Sequence, residues 1–427
     1  MIGLILFGGM FTLVVLNMPI GFALGVASVA GMLYIGDLPM TLAAQRMVVA
    51  LDSFPLLAAP LFMLTGELMT VGGSARRIVE FSSALVGHIR GSLAHVTVLS
   101  SMLFSGISGS ATADTAAVGS LMIPAMIRKG YDPDFATAIQ ASAGTMGPII
   151  PPSVLMVIFG YLSGVSVGAL FLGGVIPGIL IGLSLMLVTY LYARTGGAAY
   201  RGDQAASLRH VVRTGIRALP ALGLVLIIMA GILGGVFTPT EAAAVAVFYG
   251  LFVELVLYRE LRVRDLPAIL RRAATVAAMV MFIVAISGLF GWVMTSEEIP
   301  QAFTRMLLSI SSSTAVTLLL INVLVLIAGT SLESTATLLI ITPILMPVVQ
   351  DLGLDPVHFG VVLVVGLCIG MVTPPVAVTL FVACGLSGRS VTTVLRPLAP
   401  QLLIMIVVLL LITYVPTLVT FLPRLFN

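Results

Sequence analysis

Apolar residues fill long, nearly uncharged runs from one end of the chain to the other, and polar residues are confined to short segments between them. A helix of about 20 apolar residues crosses a bilayer, so the pattern predicts an all-helical polytopic membrane protein. Residues 37–52 are predicted as a mildly polar connection, and residues 74–90 as an amphipathic helix along the membrane surface or against a moving part. The predicted apolar elements are residues 2–16, 20–36, 54–71, 92–105, 115–127, 135–162, 168–193, 219–236, 240–258, 273–294, 316–329, 336–350, 357–384 and 398–422.

Two regions of this pattern share one motif. Each places Gly, Ser, Thr and one carboxylate inside an apolar run, and a Gly/Pro break follows in the next run. The spacing from carboxylate to proline is ten residues in both copies, and the spacing between two later prolines is eighteen in both. Only the link between these blocks differs, at nine and thirteen residues. The pairs are Asp114–Pro124, Pro133–Pro151, Glu333–Pro343 and Pro356–Pro374.

The segments 92–105 and 115–127 are each too short to span a bilayer, and a polar tip separates them. This predicts a re-entrant helical hairpin, because irregular backbone at membrane depth is tolerated only inside protein or beside a watery cavity. The run that follows is predicted as a broken helix, and membrane transporters build ion and substrate sites from such elements. The other segments of this kind are 316–329 with 336–350, 135–162 broken at 144–152, and 357–384 broken at 370–375.

Basic residues predict how the chain is oriented. Two arginine clusters hold half of the 20 Lys and Arg residues and are separated by two predicted spans, so they face one side, which the positive-inside rule makes the cytoplasm. Counting spans from there, the first hairpin enters from the cytoplasm and the second from the periplasm, with both termini periplasmic. The two motif copies therefore form an inverted repeat. The clusters are Arg194, Arg201, Arg209, Arg213 and Arg217, and Arg259, Arg262, Arg264, Arg271 and Arg272.

Composition excludes several classes of protein. With 59% hydrophobic and 9% charged residues, against about 25% charged in soluble domains, the chain has no room for a sizeable soluble domain. The net charge of +3 comes from loop arginines, so no nucleic-acid partner is predicted. The sequence contains no His-Glu-x-x-His, Gly-x-Ser-x-Gly or Gly-x-x-x-x-Gly-Lys-Ser/Thr motif. We therefore predict a transporter driven by an ion gradient, not an enzyme.

The polar residues of the two tips have two interpretations, which the sequence leaves open. Such residues cap helices by accepting hydrogen bonds from free N–H groups. Helix ends inside a membrane also offer oxygen atoms that coordinate Na⁺ or meet a substrate. Asp114 and Glu333 are the most unusual residues, because a carboxylate in a span is costly unless it is partnered. Glu67 and Glu241 are weaker candidates.

The pattern also divides the chain into six parts. Two contain the hairpins with their broken helices, and the others contain scaffold helices, loops and arms. The parts are 1–91 (scaffold helices and amphipathic arm), 92–163 (first hairpin and broken helix), 164–294 (scaffold with Arg-rich loops), 295–315 (periplasmic loop and second arm), 316–388 (second hairpin and broken helix) and 389–427 (C-terminal helix).

The run SGSATADTAAVGSLMIPAM, followed by YDPDFATAIQASAGTMGPIIPPS, closely resembles the large membrane subunit of TRAP transporters (tripartite ATP-independent periplasmic transporters), the DctM-like family. NMPIGFALG, GGVFTPTEAAAVAV and GMVTPPVAV also fit, so the likeness covers essentially the whole chain. The resemblance implies an elevator-type fold like that of the ion transporter superfamily, in the bacterial inner membrane. It also implies Na⁺-coupled import of an organic acid, such as a C4-dicarboxylate or a sugar acid. The implied partners are a small four-helix membrane subunit (DctQ-like) and a periplasmic binding protein (DctP-like), beside membrane lipid.

Two Na⁺ sites and a substrate site between the tips follow from the resemblance, each joining a hairpin tip to a helix break. The first Na⁺ site would contain Ser105, Ser108, Ser110, Thr112, Gly144, Thr145 and Gly147. The second would contain Gly329, Thr330, Glu333, Thr335, Gly370, Val372 and Thr373. The substrate site would contain Ser110, Asp114, Pro151, Thr330, Ser331 and Pro374.

Other functions compete with this interpretation. The nearest is a standalone cation-coupled carboxylate symporter or Na⁺/H⁺ antiporter built on a similar inverted repeat. An intramembrane hydrolase using Asp114 and Glu333 is disfavoured by the missing protease motifs. A purely structural membrane scaffold would not need two polar re-entrant tips.

Overall fold

The computed structural model describes residues 1–36, 38–195, 197–202, 205–311 and 313–426, apart from the side chains of residues 195 and 198. Within these ranges the regular secondary structure is helical throughout, as the hydrophobic pattern predicted. The helices are α1 (Gly9–Val15), α2 (Ile20–Ile35), α3 (Thr41–Leu51), α4 (Ala58–Val71), α5 (Ser74–Val86), α6 (Ser92–Ser108), α7 (Ala111–Arg128), α8 (Pro133–Gly144), α9 (Val154–Ser163), α10 (Val167–Thr195), α11 (Leu208–Leu233), α12 (Pro239–Phe252), α13 (Leu266–Ser296), α14 (Ile299–Ile310), α15 (Thr314–Ser331), α16 (Ser334–Asp351), α17 (Pro356–Gly370), α18 (Val378–Ser387), α19 (Val391–Tyr414) and α20 (Thr417–Phe426).

Seven of the described helices are long and apolar enough to cross a membrane, or eight spans if α3 and α4, which meet at a bend of 68°, form one. The multi-pass membrane fold is therefore confirmed. Two predicted elements differ in type or number. α3 occupies the predicted polar connection, because its apolar side packs into a cluster with α2 and α13. The predicted span 398–422 is divided between α19 and α20 at Pro416, which cannot donate a backbone hydrogen bond.

At both predicted hairpins the two helices form, and the turn that joins them is shorter than predicted. Only Gly109 and Ser110 separate α6 from α7, and only Leu332 and Glu333 separate α15 from α16. The predicted breaks also form: α8 and α9 are interrupted at residues 145–153, and α17 and α18 at residues 371–377. Prolines in both breaks lack the N–H that a continuous helix needs.

From hairpin to break, equivalent positions of the two repeats are separated by the same number of residues. Paired boundaries are each 223 residues apart: Ser108 and Ser331, Ala111 and Ser334, Arg128 and Asp351, Pro133 and Pro356. The same offset pairs Pro124 with Pro347 and leaves equal links of nine residues to the next helix. The sequence alignment of Asp114 with Glu333 was therefore wrong by four residues. Ser110 is the structural equivalent of Glu333, and Asp114 is the equivalent of Thr337.

Most of the helices form two groups, one of which contains both motifs. We call α2–α4 and α11–α13 the scaffold, in which α13 packs on α2, α3 and α4, and α12 packs on α4 and α11. We call α6–α10 and α15–α19 the central bundle. Within it the broken helices exchange partners between repeats, because α9 packs on α16 and α18 packs on α7. α10, which the sequence placed in the scaffold segment 164–294, packs on α6, α17 and α19. The amphipathic helices α5 and α14 each contact both groups.

Candidate ion and substrate site

We use tip 1 for the two-residue turn of the first hairpin together with the flanking helix ends, residues 105–114, and Asp114 is its buried carboxylate. Asp114 lies in the first turn of α7, is 0% exposed, and accepts hydrogen bonds from the Ser105 hydroxyl at 2.6 Å and from the Ser108 hydroxyl. Among the described residues, no cationic side chain forms an ion pair with it. An ionised carboxylate buried with neutral hydroxyl donors alone is costly, so a bound cation would stabilise this arrangement.

Ser110 and Thr112 open this tip to a cavity. Ser110 is the N-cap of α7, and its hydroxyl lies 3.1 Å from that of Thr112. Both side chains are half-buried and line a cavity of about 370 Å³ enclosed by tip 1, α4, α13 and α18, which we call the tip-1 cavity. The capping interpretation therefore holds for Ser110, and the same side chain also faces a space that a ligand can enter.

The break between α8 and α9 lies directly against tip 1. A Cβ atom on Gly147 would lie 2.7 Å from the carbonyl carbon of Ser110 and 2.9 Å from the nitrogen of Ala111, so glycine lets the two backbones touch. Gly144 contacts Thr115 one turn earlier in α8. Within the first predicted Na⁺ site, the structure therefore brings Gly147 of the break into contact with Ser110 of the tip.

Glu333 has a different role at the second tip (tip 2). It is the N-cap of α16 and accepts hydrogen bonds from the Ala336 N–H at 3.0 Å and the Thr335 hydroxyl at 2.9 Å. Its side chain is half-buried, whereas Asp114 is fully buried. The helix N-terminus supplies partial positive charge to Glu333, so this carboxylate is already stabilised by its own helix.

The second break contacts tip 2 through two glycines. A Cβ atom on Gly370 would lie 2.5 Å from the carbonyl carbon of Gly329 and 2.6 Å from its oxygen. The Val376 N–H donates to the Thr330 carbonyl at 3.0 Å, which ties the break to the end of α15. Within the second predicted Na⁺ site, the structure thus brings Gly329 and Gly370 into contact.

Hydroxyl and carbonyl oxygens are the chemistry that these sites offer. Within the described residues, no group of three or more His, Cys, Asp or Glu could hold a metal ion. The hydroxyls of Thr145, Thr330 and Thr373 each donate to a carbonyl of the preceding turn, at 2.7, 2.8 and 2.8 Å. Donation uses the proton and leaves oxygen lone pairs free for a cation.

The remaining predicted residues differ in how accessible they are. Pro151 is buried, whereas Ser331 and Pro374 are half-buried. Val372 is 0% exposed and packs in an apolar cluster with α8, α18 and α19, so its backbone is the part that could meet an ion.

The family model of the DctM component of tripartite ATP-independent periplasmic transporters matches residues 7–418. The chain belongs to this family. It is 43% identical over 373 residues to the C4-dicarboxylate TRAP transporter large permease protein DctM of Pseudomonas aeruginosa, with 87% of each chain covered. It is 41% identical over 418 residues to the sialic acid TRAP transporter large permease protein SiaM of Vibrio cholerae serotype O1, covering 98% of this chain and 97% of that one. The solved YdaH transporter of Alcanivorax borkumensis shares the fold, with a TM-score of 0.63 at 17% identity and 88% of each chain covered.

Membership of the DctM family confirms the resemblance stated from the sequence and makes this chain a multi-pass TRAP transporter permease, not an enzyme. Two residues of this permease's tip-1 cavity carry charge that the site prediction did not include. They are Arg272, which the sequence assigned to a cytoplasmic loop, and Glu67, which it weighed only as a weak candidate. Charge inside an apolar run marked Glu67, but no sequence signal placed Arg272 near tip 1.

Proposed function

We propose that this chain is the large permease of a Na⁺-coupled TRAP transporter that imports an organic acid across the bacterial inner membrane. The family description names a tripartite system, which supports a small DctQ-like membrane subunit and a periplasmic DctP-like binding protein as partners. Relatives named for a C4-dicarboxylate and for sialic acid support a carboxylate cargo. The arginine clusters support periplasmic termini.

The observation that carries Na⁺ coupling is the buried carboxylate of Asp114, which has hydroxyl donors and no cationic partner among the described residues. Hard cations prefer oxygen ligands. The hydroxyls of Ser105 and Ser108 supply such oxygens beside the charge that the ion would neutralise, and the break adjoins the same tip at Ser110. We assign the first Na⁺ to this place and a second to the contact between tip 2 and its break.

The substrate carboxylate would lie between the two tips, where the N-termini of α7 and α16 carry partial positive charge. The packing of α9 on α16 and of α18 on α7 supports one unit in which the two ion sites move together. We propose that this unit moves as an elevator against the scaffold. Coupling then requires that Na⁺ favour the geometry that binds substrate.

Uptake into proteoliposomes tests the proposal. The vesicles hold this chain and its small-subunit partner, the cognate binding protein is outside, and labelled organic acid is supplied with and without an inward Na⁺ gradient. Uptake that needs both Na⁺ and the binding protein is expected. Uptake by this chain alone would replace the proposal with a standalone symporter. Uptake driven equally well by a proton gradient would remove both Na⁺ assignments.

A further inference from the structure

The tip-1 cavity carries one base and one acid that the proposed ion sites do not use. Among its described lining residues, Arg272 of α13 is the one basic side chain and Glu67 of α4 is the one acidic side chain. Hydroxyl groups of α4 and tip 1 supply the other polar lining, from Thr70, Ser110 and Thr112 among them. A guanidinium bordered by hydroxyls is a combination that holds carboxylates.

The scaffold touches tip 1 at this cavity. A Cβ atom on Gly66 would lie 3.0 Å from the carbonyl oxygen of Ser108 and 3.2 Å from its Cα atom, so the α4 backbone rests against the tip. Glu67 follows directly in α4, and Arg272 faces the same space from the second turn of α13, which packs on α4. Scaffold charges and tip hydroxyls therefore line one space.

Arg272 has no direct polar partner among the described residues. No hydrogen bond or ion pair joins it to any described residue, whereas Arg77 and Arg389 are paired with carboxylates. Glu67 is near enough to interact electrostatically with Arg272, but no direct ion pair between them is among the described contacts. The guanidinium thus keeps its five N–H donors for a ligand.

We propose that Arg272 binds the carboxylate of the transported acid as it leaves tip 1, and that Glu67 weakens this binding enough for release. The assignment rests on the proposed function, since it takes an organic acid as the cargo. The planar guanidinium can hold a carboxylate through two parallel hydrogen bonds, and the neighbouring Glu67 repels the same ligand. Because Arg272 belongs to the second arginine cluster, the positive-inside rule puts this exit on the cytoplasmic side.

Alkylation of a cysteine placed in the cavity wall tests the assignment, and this assay does not depend on transport. Val276 lies one turn from Arg272, lines the tip-1 cavity and is 39% exposed. Val276→Cys therefore supplies a thiol whose reaction with a maleimide should slow when an acid binds beside it. The full chain in phosphatidylcholine vesicles is titrated with succinate, gluconate or N-acetylneuraminate, with neutral succinamide as the blank. The chain without the added cysteine gives the background from Cys368 and Cys384, both buried.

We expect Arg272→Gln to raise the acid concentration that gives half-maximal protection (the half-protecting concentration) by about tenfold to a hundredfold. This is the range for losing a charged hydrogen-bond partner. Arg272→Lys should restore part of the protection, and Glu67→Gln should lower the half-protecting concentration. Arg271→Gln is the matched control, because it removes the same charge from the adjacent residue, which does not line the cavity.

Equal protection of Arg272→Gln and its parent would overturn the assignment, and so would a parent that none of the acids protects. Protection that follows added anionic lipid instead of added acid would also overturn it and assign Arg272 to a lipid headgroup. A lack of Na⁺-driven uptake with this protection intact would refute the proposed coupling and leave the carboxylate site standing.

Discussion

A methyl group on Gly370 has no room in the second break. Its Cβ atom would lie 2.5, 2.6 and 2.8 Å from the carbonyl carbon, the oxygen and the Cα atom of Gly329. Carbon atoms in ordinary contact stay about 3.5–4.0 Å apart, and a backbone cannot rotate away as a side chain can. Gly370→Ala therefore has to move tip 2 by about 1 Å from the break.

The size of the effect follows from this displacement. Forcing an extra methyl group into a packed contact typically costs about 1–3 kcal/mol. On the proposed coupling, the oxygens of the second Na⁺ site come from both sides of the contact, and hard cations hold oxygen within about 2.0–2.6 Å. If Na⁺ binds only when tip 2 is undisplaced, the cost of about 1–3 kcal/mol lowers the apparent Na⁺ affinity about 5- to 150-fold.

Na⁺ titrations of thermal unfolding and of uptake measure the change. Gly147→Ala should act in the same way at tip 1, where its Cβ atom would lie 2.7 Å from the carbonyl carbon of Ser110. Gly385→Ala is the matched control, because a Cβ atom at this position of α18 would have no neighbouring heavy atom within 4 Å. If Gly370→Ala and Gly385→Ala reach half-saturation at the same Na⁺ concentration, the contact does not hold the ion ligands and the reasoning fails.

Three further changes test separate contacts. Asp114→Asn keeps the shape and removes the buried charge, so Na⁺ should raise the unfolding temperature less than in the parent, because only the proposed tip-2 site is left, while stability without Na⁺ is kept or increased; a Na⁺ shift equal to the parent's contradicts this. Glu254→Ala leaves two donors at the start of α5 without their buried acceptor, and denaturation should show a loss of about 1–3 kcal/mol, against little change for Glu298→Ala on an exposed turn. The hydrogen bond from Arg389 lowers the pKa of Asp134, so this pair stabilises the fold above the ordinary pKa of 3.8 and the contribution is lost as pH falls through the lowered value. Arg389→Gln should therefore lower the unfolding temperature at pH 7 and match the parent in strong acid, and an equal difference at both pH values would refute the pairing.

Element type was predictable here because the physical signal is local. Apolar length marks the spans, and the break between α1 and α2 was visible from Asn17 and Pro19 inside an apolar stretch. Tip length was not predictable to the residue. The sequence predicted an irregular segment from residue 106 to residue 114, yet Thr112 and Asp114 both lie in the first turn of α7.

The alignment error between the repeats has a geometric cause. The sequence paired Asp114 with Glu333 and Pro124 with Pro343, whereas the fold pairs Pro124 with Pro347. A slip of four residues is close to one helical turn of 3.6 residues and keeps every side chain on nearly the same face. Hydrophobic periodicity cannot detect such a slip, and the helix boundaries can.

Arg272 shows a different limit. The sequence placed it in a cytoplasmic loop because basic residues cluster there, but α13 already begins at Leu266, so Arg272 lies on a helix that faces α4. Its place in the tip-1 cavity depends on how two distant helices pack. The sequence around Arg272 contains no feature that predicts this contact.

The corrected register also separates the two interpretations that the sequence left open for the tip carboxylates. Glu333 is the N-cap of α16, so its charge is stabilised by the Ala336 N–H and by the helix N-terminus whether or not an ion is present. Asp114 lies inside α7, where the N-cap is Ser110, and its charge meets only hydroxyl donors among the described contacts. Repeats with nearly the same backbone therefore place their carboxylates in different surroundings, one fully buried and one at a helix N-terminus. On the proposed coupling, removing the charge of Glu333 should affect stability alone, and removing that of Asp114 should affect the response to Na⁺.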